Sequence, residues 1–541
     1  MNWIVFGQQG TDNNEKVKKK QGHERKTRLI KQTQKTRHSR TMLNMLERMP
    51  VSARMCCALL LTVMMLISLV PQQAQAASTT FINPVAPYSS ADPFVMKHTD
   101  GYYYFVHTSR NWDKIDISRS KTLTGIGNGE SKTVFTKPTA TCSGGSCYSN
   151  NIWAPELNYI NGAWYLYFSA GSNDGNNANQ RIWAIRNTSA NPLQGSWSAP
   201  IKVNDSNDYW SIDQTVTSIN GQLYMAWSQI APGKPQEIAI AKMSSPTALV
   251  GKATIISSPT ISWEKVGGDV NEAPAFLTHG SRVYLTYSAS GCWTDDYKLG
   301  MLSASSSADL SLASSWSKGA NPVFQKTSTV FGPGHNSFVK SPDGTEDWIV
   351  YHANDGTGQG CAEQRTTRIQ KINWNGDTPV FGSPVTPGTA ITRPSGEGTA
   401  DIYYRIRNNN SGKVLAVLNA STADGADIIQ WTYNGTGDQR WALDPTSDGY
   451  FQLRASHSGR LAGVTGASKD DGANVAQFTS SGSTSQQWKF NLVGNQFFEI
   501  LNRNSGKLLD VTNGGTADGA DVRQWADLNN TVQQWIFERV N

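Results

Sequence analysis

The chain has 541 residues and a formal net charge of +6 at neutral pH. Residues 1–54 hold thirteen Lys or Arg and four Asp or Glu, so the basic excess lies in this segment and the remainder carries about −3. The length allows more than one domain. The acidic balance of the remainder excludes nucleic-acid binding that depends on a basic surface.

Residues 1–77 have the pattern of a leader that ends in a secretion signal. Arg48 and Arg54 precede an apolar run over residues 55–70, and Ala74-Gln75-Ala76 offers a small-residue cleavage site. The run is short for a membrane span, which needs about 20 residues. We therefore expect a secreted, extracellular protein with no membrane segment after signal removal. Two alternatives stay open, a retained anchor and a later start codon at Met42, Met45 or Met49.

A β-hairpin motif recurs five times after the leader. Its clearest copy, WAPELNYINGAWYLYFSA over 153–170, turns at Asn161-Gly162, a pair that accepts positive φ. Alternating Tyr, Trp, Val and Thr favour strands over a helix. The turn glycines are 61, 59, 59 and 64 residues apart, a period typical of propeller blades. These glycines are Gly101, Gly162, Gly221, Gly280 and Gly344.

A residue able to do chemistry or to bind a sugar precedes each turn glycine by eight or nine positions. Equivalent positions of successive blades surround one axis, so the repeat predicts that these five side chains meet. A slip of one residue reverses the faces of a strand, and we therefore assume that the turns differ in length by one. The five residues are Asp92, Trp153, Asp213, Glu272 and His335.

Three of these five residues are acids beside apolar neighbours, which is not expected of a solvated face. Glycoside hydrolysis needs one protonated carboxyl group to assist the leaving oxygen and a second to activate water or attack the sugar. A third carboxylate can raise the pKa of the acid. A non-catalytic, lectin-like scaffold is the alternative, but it would not require the three acids. Glu156 either lines the pocket or only hydrogen-bonds within its own blade. Asp295 and Asp296 are predicted to be loop residues.

Four cysteines follow the leader, an even number that suits an oxidising compartment. Cys142 and Cys147 bracket SGGS and could close a small loop, in which case Cys292 and Cys361 would pair across the last two blades. Four cysteines allow three pairings, so the pairing stays open. The sequence contains no CxxC or HExxH zinc motif.

A second repeat follows a Gly-, Pro- and Thr-rich run that predicts a linker over 391–400. Three copies of 47 residues fill 401–541, and each copy ends in Gln-x-Trp, at Trp441, Trp488 and Trp535. Three short β units of this kind predict a closed threefold body with one Trp per unit in its core.

This second pattern resembles the ricin-type β-trefoil carbohydrate-binding domain. The resemblance implies an early Asp in each unit that bonds sugar hydroxyls and a later aromatic residue that stacks on the ring. The third unit has both, as Asp510 and Trp525, whereas the first and second have Ala416 and Gly463 at the Asp position and only Trp431 is retained as a Trp. We expect the third unit to bind best. A purely structural trefoil is the alternative.

The first repeat resembles glycoside hydrolase family 43 over about residues 84–390. The motifs ADPFV, WAPEL, SIDQTV, NEAPAF and GPGHNSF have the order and spacing of that family. The resemblance implies a five-bladed propeller that inverts configuration. It implies that Asp92 is the general base and Glu272 the general acid, with Asp213 tuning the pKa and orientation of Glu272. An inverting pair lies about 6.5–9.5 Å apart.

The same resemblance implies roles for three further residues. His335 would face the channel and help to hold calcium, partly through water, although a hydrogen-bonded buried His is the ordinary alternative. Trp153 would wall the pocket unless it only packs the blade. Arg365 would bind the substrate, with Arg368 as the alternative. No organic cofactor is expected.

The run NPVAPYSSADPFVMKHTDGYYYFVHTS, with SRSKTLTG and RTTRIQ, most resembles the arabinofuranosidase branch. We therefore expect release of terminal α-L-arabinofuranosyl units from the plant cell-wall polysaccharides arabinan and arabinoxylan, with endo-arabinanase and β-xylosidase as alternatives. The expected architecture is all-β, a five-bladed propeller over 78–390 and a β-trefoil over 401–541. We expect a monomer, with the trefoil as a tethered module that raises the local concentration of polysaccharide.

Overall fold

The computed structural model describes residues 79–86, 89–174, 177–398 and 400–540. The predicted leader, its signal sequence and the alternatives for it lie outside these residues. Within the described part of the chain, no helix is both long and apolar enough to cross a membrane. The regular structure there is β-strand, apart from short 3₁₀ turns.

Five antiparallel sheets follow one another along the chain and form the blades of a propeller. The strands of the first two blades are Ala91–Lys97, Tyr103–Thr108, Lys114–Ser120 and Glu130–Thr136, then Asn150–Ile160, Ala163–Gly171, Arg181–Asn187 and Ile201–Lys202. Those of the third are Trp210–Ile219, Gln222–Ile230, Gln236–Ser245, Ala248–Leu249 and Thr254–Ser257. Those of the last two are Asn271–His279, Arg282–Ala289, Lys298–Ser305 and Ser317–Lys318, then Phe331–Lys340, Asp347–Asn354, Thr366–Asn375 and Thr378–Val380.

The predicted hairpin turns join the first two strands of every blade. All five turn glycines have positive φ, between 53° and 81°, which only glycine adopts without strain. We call the first strand of each blade its inner strand. Each inner strand packs against the inner strand of the next blade, and the fifth packs against the first, so the ring is closed. The predicted five-bladed propeller is confirmed.

Of the three possible pairings, the structure contains the one that closes the small loop. Cys142 and Cys147 close a small loop in the second blade, and Cys292 joins Cys361 between the last two blades. The second bond ties the loop after the second strand of the fourth blade to the loop that precedes Arg365.

The C-terminal strands form one twelve-stranded sheet with three similar units, as predicted for a β-trefoil. Trp441, Trp488 and Trp535 are fully buried in its core, and each indole N–H donates to a backbone carbonyl 3.0 Å away. The strands of the first unit are Tyr403–Asn408, Val414–Val417, Ala426–Trp431 and Trp441–Pro445. Those of the second and third are Phe451–Ala455, Leu461–Val464, Val475–Phe478 and Trp488–Gly494, then Phe497–Asn502, Leu508–Val511, Val522–Trp525 and Gln534–Val540.

The segment predicted as a linker is packed rather than free. Ile391–Thr392 pairs with the N-terminal strand Thr80–Phe81, and the Glu397 carboxylate accepts bonds of 2.8 and 2.6 Å from the backbone N–H and the hydroxyl of Thr124. Arg393 is buried beside it. The segment therefore fixes the trefoil to the first blade.

The propeller and the trefoil share one apolar core cluster. Phe81 and Ile82 of the propeller meet Ile402, Tyr404 and Phe451 of the trefoil. The two bodies therefore pack against each other in addition to being joined by the chain. The sequence pattern of each body predicts its own core and not the apolar surface that the two bodies bury against each other. The role of the trefoil in raising the local concentration of polysaccharide stays a prediction.

We expect a chain that ends at residue 400 to unfold at a lower temperature than the full chain, because it exposes Phe81 and Ile82. Exposure of two large apolar side chains costs about 3–6 kcal/mol, which corresponds to a fall in Tm of roughly 10 °C. Differential scanning calorimetry of both proteins checks this. Two independent transitions in the full chain, with the propeller melting at the same temperature in both proteins, would contradict it.

Candidate active site

A β-bulge interrupts every inner strand at the same place. In each bulge two residues oppose one on the second strand, which re-aims the side chains toward the axis. The first residue of each bulge has a left-handed backbone, with φ between 44° and 57°. These residues are Asp92, Ala154, Asp213, Ala273 and His335.

Two of the five predicted positions do not coincide with the bulge. Trp153 and Glu272 lie one residue before it, paired with Ser169 and Ser288 of their second strands. The turns differ in length by more than the one residue assumed. Two residues separate the paired strands in the middle three blades, five in the first blade and six in the fifth. The one-residue shift of Trp153 and Glu272 also contributes to the uneven spacing. The five side chains are therefore not strictly equivalent, although all belong to one ring of inner strands.

The Asp92 carboxylate is the most heavily bonded acid of the ring. Its Oδ1 accepts from Arg365 Nη1 at 3.0 Å and lies 3.2 Å from His335 Nδ1, and its Oδ2 accepts from the Thr108 hydroxyl at 2.6 Å. Burial alone would raise the pKa of Asp92, but Arg365 and His335 hold it well below the usual range. Asp92 is therefore ionised at neutral pH.

His335 carries the opposite charge. Burial alone would lower its pKa, but the Asp92, Asp213 and Glu272 carboxyl groups outweigh burial and raise the pKa to about 9. The imidazolium is mostly buried, with 14% of the side chain exposed. It thus supplies a positive charge among three acids.

A ring of hydrogen bonds holds the bulges in place. The backbone N–H groups of Ala154, Asp213 and His335 donate to hydroxyl groups on the second strand of the preceding blade, over 2.8–3.1 Å. At Asp92 the acceptor is instead His352 Nδ1, at 3.0 Å. Burial lowers the pKa of His352 to about 4, so it is neutral and able to accept this bond.

Glu272 is placed by two side-chain donors. The Tyr297 hydroxyl donates to Oε1 and the Gln236 amide donates to Oε2, each over 2.8 Å. Burial raises the pKa of Glu272 and Asp92 adds to this, against Tyr297, His335 and Gln236, which lower it. The Tyr297 ring stacks on the His352 ring with their centroids 5.8 Å apart. Since Tyr297 bonds Glu272 and His352 bonds the backbone of Asp92, this stacking connects the two acids.

Asp213 lies beside the strand that carries Glu272, and its carboxylate accepts a hydrogen bond from the backbone N–H of Ala273. Burial raises the pKa of Asp213 to about 8, with Glu272 and Asp92 adding to the rise and His335 opposing it. Because the pKa values of Asp213 and Glu272 are both raised, this pair retains a proton at a pH where exposed carboxyl groups are ionised. An ionised carboxylate and a protonated carboxyl group in one site can act as base and acid.

The two candidate arginines have different surroundings. Arg365 contacts Asp92, and its guanidinium also donates to the carbonyl of Cys361 at 3.1 Å, so the Cys292–Cys361 disulfide supports it. Arg368 is fully buried and pairs with Asp355. Of the two, Arg365 is therefore the one that faces the candidate site.

A pocket of about 290 Å³ lies beside Asp92, because its wall includes Thr108 and Arg365, whose side chains both bond the Asp92 carboxylate. We call it the catalytic pocket. Trp112 lines this pocket with 42% of its surface exposed, and Trp153 packs edge-on against Trp112 at 5.6 Å. Trp153 thus supports the aromatic wall from behind.

Glu156 is buried close enough to Asp213 and His335 for its charge to interact with theirs. Burial raises the pKa of Glu156 well above the usual range, and its Oε2 is a buried atom without a hydrogen-bond partner among the described residues. Both observations favour a neutral Glu156, close to the acids but not exposed to the pocket.

The described residues form no protein cage for the predicted calcium ion. Among the described residues, no group of three or more His, Cys, Asp or Glu side chains could hold a metal ion. Calcium prefers six to eight oxygen ligands, whereas His335 directs Nδ1 toward Asp92 and the Asp92 oxygens already accept from Arg365 and Thr108. These residues do not fit a calcium site built by the chain alone, and calcium stays a prediction.

The trefoil positions differ in how open they are. Asp510 is 1% exposed and paired with Arg523 at 2.8 Å, and the Arg523 guanidinium stacks 3.9 Å from the centre of the Trp525 ring. In the first unit, which has Ala416, Trp431 is 40% exposed. The preference for the third unit stays a prediction, and there the arginine covers one face of the stacking residue.

Sequence reasoning missed Thr108, His352 and Tyr297. Thr108 and His352 follow their turn glycines by seven and eight residues, as do the serines at the equivalent positions of the other blades, so the repeat itself could have revealed them. Tyr297 lies in a loop outside the repeat, and no spacing indicates it.

The chain matches two known protein families. Residues 81–379 match Glycosyl hydrolases family 43, and residues 392–478 and 484–541 match a ricin-type beta-trefoil lectin domain-like family. The first match covers more than half of the chain.

Several relatives of the chain bear the names of arabinofuranosidases. An extracellular exo-alpha-(1->5)-L-arabinofuranosidase of Streptomyces avermitilis is 42% identical over 66% of this chain and 75% of its own length. Alpha-L-arabinofuranosidase 43 of Humicola insolens is 35% identical over 64% of this chain and 69% of its own length. The chain is also similar to an alpha-L-arabinofuranosidase from Lactobacillus brevis whose crystal structure is known. The two sequences are 37% identical, and the match covers 57% of this chain and 98% of that one with a TM-score of 0.53. The chain therefore belongs to glycosyl hydrolase family 43 and is a glycoside hydrolase that carries a C-terminal ricin-type β-trefoil domain.

Proposed function

We propose that this protein is a secreted α-L-arabinofuranosidase that releases terminal arabinofuranosyl units from arabinan or arabinoxylan with inversion of configuration. The observation that carries the proposal is the different surroundings of two buried acids. Arg365 and His335 contact the Asp92 carboxylate at 3.0 and 3.2 Å and hold its pKa down against the effect of burial. Glu272 is instead bonded by the neutral donors Tyr297 and Gln236, and burial raises its pKa. The choice of sugar is supported by the relatives from Streptomyces avermitilis and Humicola insolens, which bear arabinofuranosidase names.

The reaction begins with a water molecule between Asp92 and the anomeric carbon. Asp92 takes a proton from this water as the oxygen attacks the anomeric carbon. Glu272 donates its proton to the glycosidic oxygen as the bond to the leaving group breaks. The attacked carbon inverts because water enters on the face opposite the leaving group.

Two cations keep Asp92 ionised, and two hydrogen-bond donors orient Glu272. Arg365 and His335 stabilise the negative charge of Asp92, so it stays ionised in a buried site. Tyr297 and Gln236 fix both oxygens of Glu272. Asp213 holds the backbone beside Glu272 through Ala273 and orients the acid.

Two alternatives within the family are tested by substrate range. We expect the enzyme to release the chromophore from nitrophenyl α-L-arabinofuranoside and single arabinose units from linear arabinan. Release of arabino-oligosaccharides alone would instead indicate an endo-arabinanase. Cleavage of nitrophenyl β-xyloside alone would indicate a β-xylosidase.

We expect Asp92→Asn and Glu272→Gln each to lower kcat by about 10²–10⁴-fold, the usual contribution of a general base or acid. The loss in Glu272→Gln should shrink for a dinitrophenyl leaving group, which departs without a proton. Steady-state kinetics with a nitrophenyl and a dinitrophenyl glycoside measure both effects.

Asp309→Asn is the matched control for these variants, because this acid lies on the fourth blade and pairs with Lys242 at the surface. It should leave kcat unchanged. Circular dichroism establishes that all three variants are folded. If Asp92→Asn or Glu272→Gln is folded and turns over like the wild type, the assigned role of that residue is wrong.

We expect kcat/KM to fall as pH rises through about 8, because the Asp213–Glu272 pair then loses its proton and Asp213 has a pKa raised to about 8. The acidic limb should lie far below neutrality, because the pKa of Asp92 is lowered. Rates from pH 4 to 10 should therefore show the alkaline limb and no acidic limb, because the pKa of Asp92 is held well below its ordinary value of about 3.8.

Melting temperatures over the same pH range separate catalysis from unfolding. The raised pKa of His335 contributes stability that is fully present below its ordinary value of 6.5 and is lost as pH rises through about 9. This contribution therefore declines between about pH 6.5 and 9, across the range in which the rate falls. A melting temperature at pH 9 that stays well above the assay temperature shows that the fall in rate is not caused by unfolding. Activity that still increases above pH 9 would contradict a protonated acid.

A further inference from the structure

A second cavity lies next to the catalytic pocket, where the propeller meets the trefoil. Its volume is about 330 Å³. Ser89, Arg110 and Glu363 line both this cavity and the pocket that reaches Thr108 and Arg365, so the two spaces share a wall. The cavity is lined by Ser89, Arg110, Glu363, Gln364, Asn495 and Phe497.

The trefoil side of this cavity is a turn that the propeller holds. Asn495 and Gln496 are consecutive residues with left-handed φ of 51° and 61°, a conformation that costs of order 1–3 kcal/mol for each residue without glycine's freedom. The Gln496 N–H donates to Asp355 at 3.0 Å, and Gln359 donates to the Asn495 side-chain oxygen at 3.0 Å. Strain of this kind persists only where surrounding contacts fix it.

The lining has the chemistry of a saccharide subsite. Arg110 and Glu363 form an exposed ion pair at 2.6 Å, so the wall carries donors and acceptors without an excess of either charge. Gln364 and Asn495 add amide groups, and Gln364 Oε1 has no hydrogen-bond partner among the described residues. Phe497 supplies an aromatic face for the CH groups of a sugar ring.

We propose that this cavity binds sugar units next to the one that is cleaved, and that the trefoil contributes to substrate binding there through Asn495 and Phe497. The inference rests on the proposed function, since it requires a saccharide chain as substrate. It is separate from binding at the trefoil's own candidate positions, because Trp431 and Trp525 do not line this cavity. The substrate class is therefore an oligosaccharide of several units rather than a simple glycoside.

The test uses Phe497→Ala and Asn495→Gly in the full chain, with glycine chosen because it keeps the left-handed backbone. Each variant is assayed on nitrophenyl α-L-arabinofuranoside and on a soluble arabino-oligosaccharide of at least four units. Loss of one aromatic contact should raise KM for the oligosaccharide about three- to tenfold. The oligosaccharide kcat and both constants for the nitrophenyl substrate should stay unchanged.

Tyr450→Ala is the matched control, since Tyr450 stands 47 residues before Phe497 in the trefoil repeat and lines neither cavity. It should change neither substrate's constants. Wild-type KM for the oligosaccharide in Phe497→Ala, or an equal loss on both substrates, would overturn the subsite. If the wild type cleaves a different sugar, the proposed function is wrong but the subsite can still be tested. The variants are then assayed on the nitrophenyl glycoside and the oligosaccharide of that sugar, and a rise in KM for the oligosaccharide alone supports the subsite.

Discussion

Three carboxyl groups can share the propeller axis because two buried cations stand among them. Arg365 and His335 both contact the Asp92 carboxylate, and their charges keep it ionised where burial alone would protonate it. The remaining acids, Asp213 and Glu272, respond in the opposite direction, since burial and the negative Asp92 raise their pKa values. The division into a base and an acid is thus a consequence of where the two cations lie.

The backbone makes this arrangement possible. A left-handed residue in every inner strand turns the side chains toward the axis, and the backbone N–H of each such residue donates to the blade that precedes it in the ring. The geometry of the site therefore depends on the closure of the ring. The trefoil adds to the packing, because it shares an apolar core with the propeller and places Asn495 and Phe497 beside the catalytic pocket.

Periodicity in the sequence predicts much of this architecture, because hairpin turns and buried tryptophans repeat at fixed intervals. It also brings Asp92, Asp213, Glu272 and His335 to one axis, since each belongs to an inner strand. It does not predict the partners of these residues. Tyr297 reaches Glu272 from a loop outside the repeat, and the packing of the trefoil on the propeller depends on surfaces that carry no period.

The stereochemistry of the released sugar tests the central claim, that Asp92 activates water instead of attacking the sugar itself. Proton NMR during the first minutes of hydrolysis of an α-L-arabinofuranoside records which anomer forms before mutarotation. A base acting through water predicts β-L-arabinofuranose as the first product. Initial formation of the α-anomer would require a double displacement and would contradict the roles derived for Asp92 and Glu272.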